Sequence, residues 1–86
     1  MPRISRFLGI TIVMHYDDHP PPHFHVHYGG DGATMDINTM RLTDGYLPPR
    51  VLGLVTEWGA RNRDVLLDNF DRCLNHQGPV RIPPLE

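Results

Sequence analysis

The sequence predicts an α+β fold: a small antiparallel meander of three to four strands, with a C-terminal helix, one kinked or two consecutive, packed on one face. Two observations carry this. Residues 23–28 (HFHVHY) and 33–38 (ATMDIN) alternate between apolar and polar with a period of two, and the turn signal GGDG lies between them. From Val51 onward the period changes. Val51, Leu54, Val55 and Trp58, then Val65, Leu66, Phe70 and Cys73, follow at helical spacing and define one apolar face.

The elements follow in order. FLGITIVMHY (7–16) is rich in β-branched and aromatic residues and reads as the first strand. DDHPPP (17–22) cannot continue a ladder, because three consecutive prolines bring no N–H donors; it reads as a stiff, extended loop. HFHVHY is the second strand, with Phe24, Val26 and Tyr28 on one face and His23, His25 and His27 on the other. ATMDINT is the third, and MRL (40–42) adds a short edge strand before a turn at TDG. LPPRVLGLVTEW opens the helix with proline, which a first turn tolerates, while Gly59 and Asn62 interrupt the stripe and allow a kink or a break. Glu57–Arg61 and Asp68–Arg72 stand at ion-pair spacing on the wet side. Gly78 ends the helical pattern and an extended tail follows. The 86 residues make a single domain, 1–86, with strands within 5–42, a helical region at about 48–76 and the tail at 77–86.

Composition narrows the function classes. A net charge of −2 gives no general attraction to nucleic acid, although all eight basic side chains are arginine, whose planar fork suits phosphate. Protonating all six histidines would turn −2 into +4. No apolar run approaches the length that spans a bilayer, so no membrane role is expected. The N-terminal stretch lacks a signal-peptide cleavage site and Cys73 has no partner for a disulfide, from which a cytoplasmic location is expected. Cys73 reads as a small buried apolar residue.

Five of the six histidines fall between residues 15 and 27, and this concentration is the candidate site. If GGDG closes the hairpin, Tyr28 pairs with Ala33, Val26 with Met35 and Phe24 with Ile37. The same register sets His27 against Thr34, His25 against Asp36 and His23 against Asn38. A row of imidazoles would then stand on the open side of the sheet, with Asp36 across from the middle one. A carboxylate there fixes the ring's tautomer and leaves its other nitrogen as base or ligand; the same pair also occurs as a plain sheet-surface hydrogen bond. The site residues expected are His25, His23, Asp36 and His19, the last held over the face by Pro20, Pro21 and Pro22. As a metal site, His23, His25 and Asp36 would hold an ion such as zinc or manganese, with His15 or His19 as a further donor, and activate water for phosphate-ester hydrolysis. HFHVHY also matches the His-φ-His-φ-His-φ signature of the histidine triad nucleotide hydrolases, where His25 would attack phosphorus. Against that stands its place before the helix, and Gly29 at the position after Tyr28.

PRISRFLGITIVMHY, DDHPPPHFHVHYGG, LPPRVLGLVTEW and LLDNF, in that order, resemble the family called domain of unknown function 4160, and the likeness covers nearly the whole chain. The resemblance carries over His19, Pro21, Pro22, His23, Phe24 and His25, Asp36, and Glu57, Trp58 and Asn69. It implies a small bacterial protein whose gene is often paired with one from the domain of unknown function 2442 family, an arrangement resembling a toxin–antitoxin module. The chain departs from the family pattern at His27, where relatives tend to carry an acidic residue, and at Phe70, where tryptophan is usual. The first departure makes the third histidine a feature of this sequence alone.

Trp58 and Phe70, on the apolar stripe, read as core anchors rather than base-stacking platforms. Arg50, Arg61 and Arg63 would hold phosphates if RNA or a nucleotide binds, and otherwise form a solvated helix face. The functional expectation is a component of a toxin–antitoxin-like pair with a His/Asp site on the open sheet face. The alternatives are a non-catalytic protein-binding module, acting as homodimer or with the neighbouring gene's product through an exposed sheet edge, or a metal-dependent or histidine-based nucleotide or phosphodiester hydrolase.

Overall fold

A computed structural model describes residues 2–16 and 18–85. The strands are β1 (Arg3–Phe7), β2 (Ile10–Val13), β3 (His23–Tyr28), β4 (Asp31–Asp36) and β5 (Leu42–Gly45); two helices follow, α1 (Pro49–Arg61) and α2 (Arg63–Leu74). The strands form one sheet in the order β1-β2-β3-β4-β5, with every neighbouring pair antiparallel. This is the expected α+β meander with a strand added at its start.

The added strand comes from a turn inside what reads as one strand, 7–16. Leu8 and Gly9 both take positive φ, 52° and 80°, which folds the chain into a two-residue hairpin turn whose twist suits the flanking strands. Leucine is rarely found there because its Cβ crowds the left-handed conformation, and Leu8 turns its side chain to solvent. At the other edge the strand is LTDG rather than MRL. Gly45, at φ +83°, makes this possible: a Cβ there would collide with the Gly32 carbonyl oxygen.

The central hairpin closes two residues tighter than GGDG suggests. Gly29 and Gly30 alone form the turn, so Tyr28 faces Asp31, Val26 faces Ala33 and Phe24 faces Met35. Short two-residue loops are the commonest hairpin connection, and they leave Asp31 and Gly32 in the ladder. A slip of two residues keeps every side chain on its own face; a slip of one would have reversed them all. Phe24, Val26, Ala33, Met35 and Ile37 are therefore buried together as expected, and Ile10 and Ile12 of β2 join them.

The helices cover that apolar face. Val51, Val55 and Trp58 of α1 and Leu66, Phe70 and Cys73 of α2 are buried against it. Val51, Val55, Leu66 and Phe70 each contribute about 1.5–3 kcal/mol on burial. The Trp58 ring packs between Phe7 and Phe24, with centroids 5.7 and 5.9 Å away. The helical region is two consecutive helices. At Asn62 the backbone leaves the helix, its N–H donating to the Gly59 carbonyl and its side-chain amide to the Trp58 carbonyl at 2.8 Å. Glu57 and Arg61 form the expected i,i+4 pair, exposed enough to add little stability. Arg72, expected to pair with Asp68, instead donates Nε–H to the Gly78 carbonyl at 2.9 Å.

That bond begins a strap. Asn69, fully buried, donates to the Val80 carbonyl and accepts from the Val80 N–H. Ile82 is buried and its N–H donates to the Ile4 carbonyl, while the Trp58 indole donates to the Pro83 carbonyl at 3.0 Å. The C-terminal segment is extended, as its prolines require, but it lies along the protein instead of trailing away from it.

Candidate functional site

Alternation along β3 sends His23 and His25 to the face opposite Phe24 and Val26. They are half-buried at the end of the sheet where the loop from β2 arrives. That loop delivers Asp18, whose Oδ2 lies 3.0 Å from His25 Nε2 and 3.2 Å from His23 Nε2. His15 comes from the start of the same loop, its ring centroid 4.1 Å from that of His25. The outer nitrogens of β3's two rings are also engaged. His23 Nδ1 is 2.8 Å from the Pro21 carbonyl oxygen, which accepts only, so Nδ1 carries the hydrogen. His25 Nδ1 lies 3.4 Å from Thr34 Oγ1, its partner across the ladder. Phe70 of α2 backs the His23 ring at 5.6 Å. The result is a hydroxyl–imidazole–carboxylate–imidazole chain, Thr34–His25–Asp18–His23, with His15 alongside.

Asp36 does not take the place expected for it. The tighter hairpin sets it opposite His23, and Thr34 opposite His25. Its Oδ1 accepts the N–H groups of Asn38 and Thr39 at 2.8 and 2.9 Å, closing the turn after β4. The carboxylate that meets the imidazoles is Asp18, which in the sequence looks like part of a linker. The signal available was its position, a carboxylate within seven residues of both rings, at the start of a loop that proline stiffens. Asp17, beside it, lies outside the described residues.

His19 is exposed and lines a depression of about 290 Å³ together with Pro21, His23, Thr34, Asp36 and Thr43. His23 and Thr34 thus belong both to the depression and to the chain around Asp18. His27 shares the face of His23 and His25 but sits exposed toward the far end of β3. Of the arginines, Arg61 is paired with Glu57 and Arg63 donates to the Ile37 carbonyl, both near the α1–α2 junction. Arg50 lies at the other end of α1, about 16 Å away along the axis, so the three do not form one patch.

Burial lowers the pKa of His15, and the neighbouring His25 lowers it further, against the opposing pull of Asp18. Burial also pushes the Cys73 thiol up, with Asp18 adding to the effect, which leaves that sulfur an inert core atom. For His15 the sign follows from linkage. A folded-state pKa below the unfolded value means the unfolded chain binds more protons. The stability from a neutral His15 is complete above pH about 6.5 and is lost as the pH falls below it. Urea midpoints at pH 7.5 and 5.5 should therefore drop further for the wild type than for His15→Asn. Equal drops would show that His15 does not sense its surroundings in this way.

The family model for a domain of unknown function, DUF4160, matches residues 9–71. The chain belongs to this family. The matched DUF4160 span contains His15, Asp18, His23, His25, Thr34 and Phe70, so the whole cluster lies within it, whereas β1 and the strap lie outside. No curated protein and no solved structure matches the chain. No helix among the described residues is long and apolar enough to cross a membrane.

Proposed function

We propose that this DUF4160 protein is the acting component of a toxin–antitoxin-like pair, and that its His/Asp cluster carries out hydrolysis of a phosphoester bond. The observation that carries this reading is the convergence of His15, His23 and His25 on Asp18, beside a depression that shares His23 and Thr34 with them. Convergent titratable groups at a concave surface are the usual form of a reaction site. An imidazole held by a carboxylate is oriented to relay a proton, and the remaining imidazoles can donate to phosphoryl oxygens. The partner is the product of the adjacent gene of the domain of unknown function 2442 family, which the family resemblance implies. Inducible expression with and without that product tests the proposal, with growth and RNA integrity read together. Growth should be inhibited only in its absence, and His25→Ala should abolish inhibition while keeping the circular-dichroism spectrum. Inhibition unchanged in His25→Ala would remove the cluster from the function.

A second reading has its own observation. β5 is an edge strand, and Tyr46 directly after it is 58% exposed. Here the open ladder edge would pair with the neighbouring gene's product or with a second copy of the chain, with no chemistry at the histidines. Tyr46→Asp would then break the complex, while His25→Ala would leave both complex and growth phenotype intact.

A further inference from the structure

We infer that the cluster is a binding site for one divalent transition-metal ion of the zinc class, held by His15, Asp18 and His25, with His23, which faces the same carboxylate oxygen, as the fourth donor. This rests on the reading above that the cluster is the working site, and adds the cofactor to it.

The hydrogen positions come first. His23 gives its Nδ1 hydrogen to the Pro21 carbonyl, so in the neutral ring Nε2 is a bare lone pair. That lone pair faces Asp18 Oδ2 at 3.2 Å, an acceptor against an acceptor. The same oxygen is approached by His25 Nε2 at 3.0 Å. His25 can satisfy this contact as a neutral donor, with its Nδ1 taking the Thr34 hydroxyl hydrogen. His23 cannot. Either a second ring hydrogen or a metal ion must lie between its Nε2 and the carboxylate, and the metal ion is the choice that satisfies all the groups at once.

The two contacts at Asp18 have the spacing of such an ion's ligands. Zinc bonds of about 2.0–2.1 Å to nitrogen and oxygen place tetrahedral ligand atoms about 3.3 Å apart, close to the two separations seen here. His15, Asp18 and His25 each offer one ligand atom, all within 4.8 Å of one another; His23 is not that close to all three, and its ring has to turn toward the ion to complete the set. The donor set also selects the ion. Three imidazoles and one carboxylate suit zinc, cobalt or nickel, whereas magnesium and calcium prefer oxygen throughout. The surroundings behave as an outer shell should. The Pro21 carbonyl fixes the ring of His23, Thr34 does the same for His25, and Phe70 packs against the His23 ring. Asp36, given to its own turn, takes no part.

The test uses the full chain purified without a nickel column, stripped with chelator and titrated with zinc by calorimetry, with a parallel cobalt titration read in the visible spectrum. One equivalent should bind, and cobalt should give the intense absorption of a four-coordinate site. Asp18→Asn and His23→Gln should each weaken zinc at least about ten-fold. Asp36→Asn and a His19→Gln/His27→Gln double variant should bind as the wild type does. Loss of zinc in the double variant, or retention in Asp18→Asn, would mean that exposed histidines alone take up the metal and would overturn the inference. So would the absence of any binding, which would assign the positive charge at His23 to a proton. The two proposals fail separately. Zinc bound as described with no growth effect ends the functional reading only; growth inhibition by a wild-type chain that binds no zinc ends the metal site only.

Discussion

Trp58→Ala should remove a large part of the protein's stability at 25 °C. The indole is 1% exposed, lies between the rings of Phe7 and Phe24, and reaches past them to the strap through its N–H. Removing a buried tryptophan ring costs about 3–5 kcal/mol, and the abandoned Pro83 carbonyl adds about 1 kcal/mol if water does not reach it. A domain of this length has a total stability of roughly 4–13 kcal/mol. Loss of this one side chain therefore removes a large share of the whole. Trp58→Phe separates the two contributions, because it keeps most of the packing and loses only the bond to Pro83. Urea midpoints should rank wild type above Trp58→Phe by about 1–2 kcal/mol, with Trp58→Ala far below both. A cooperative Trp58→Ala transition near the wild-type midpoint would show that the helices are held to the sheet by something other than this ring.

The same residue shows what the sequence could reveal. Trp58 stands out because helical spacing repeats over several turns and burial demands one apolar face, so its role is redundant with that of its neighbours. Alternation in HFHVHY is equally redundant, which is why His23 and His25 emerge on one face whatever the register. Features that depend on a single local event are hidden. The hairpin at Leu8–Gly9 rests on a leucine in a conformation that leucine rarely adopts, with one glycine as its only mark. The hairpin at Gly29–Gly30 could close through two residues or four, since both choices bury the same side chains. That choice decides whether Asp36 faces His25 or His23. Asp18 is hidden for a third reason. A loop has no period, so where its side chains point depends on the path of the whole segment. The strap is similar: PVRIPPLE shows that the tail is extended, but only the buried Asn69 amide shows where it lies.

Which carboxylate serves the histidines therefore becomes an experiment with opposite outcomes. Asp18→Asn should reduce the proposed growth inhibition about a hundred-fold or more, measured as the viable count after induction without the partner. Asp36→Asn should leave it within a few-fold of wild type. The reasoning is geometric. The Asp18→Asn change keeps the shape but presents an uncharged amide to His23 Nε2 and His25 Nε2, so neither a cation nor a donated hydrogen is held as the carboxylate holds it. Outer-shell changes alone typically cost 10–100-fold, and Asp18 is in direct contact. The Asp36→Asn variant still has a side-chain oxygen to accept the N–H groups of Asn38 and Thr39, so the turn persists and only its charge is lost. Both variants keep the shape of the side chain they replace, and each is read only in soluble protein whose circular-dichroism spectrum matches the wild type. A defect in Asp18→Asn must therefore appear in soluble, folded protein. If Asp36→Asn is the damaging variant and Asp18→Asn is silent, the imidazoles are working with the carboxylate across the ladder, and the loop contact does not serve the function.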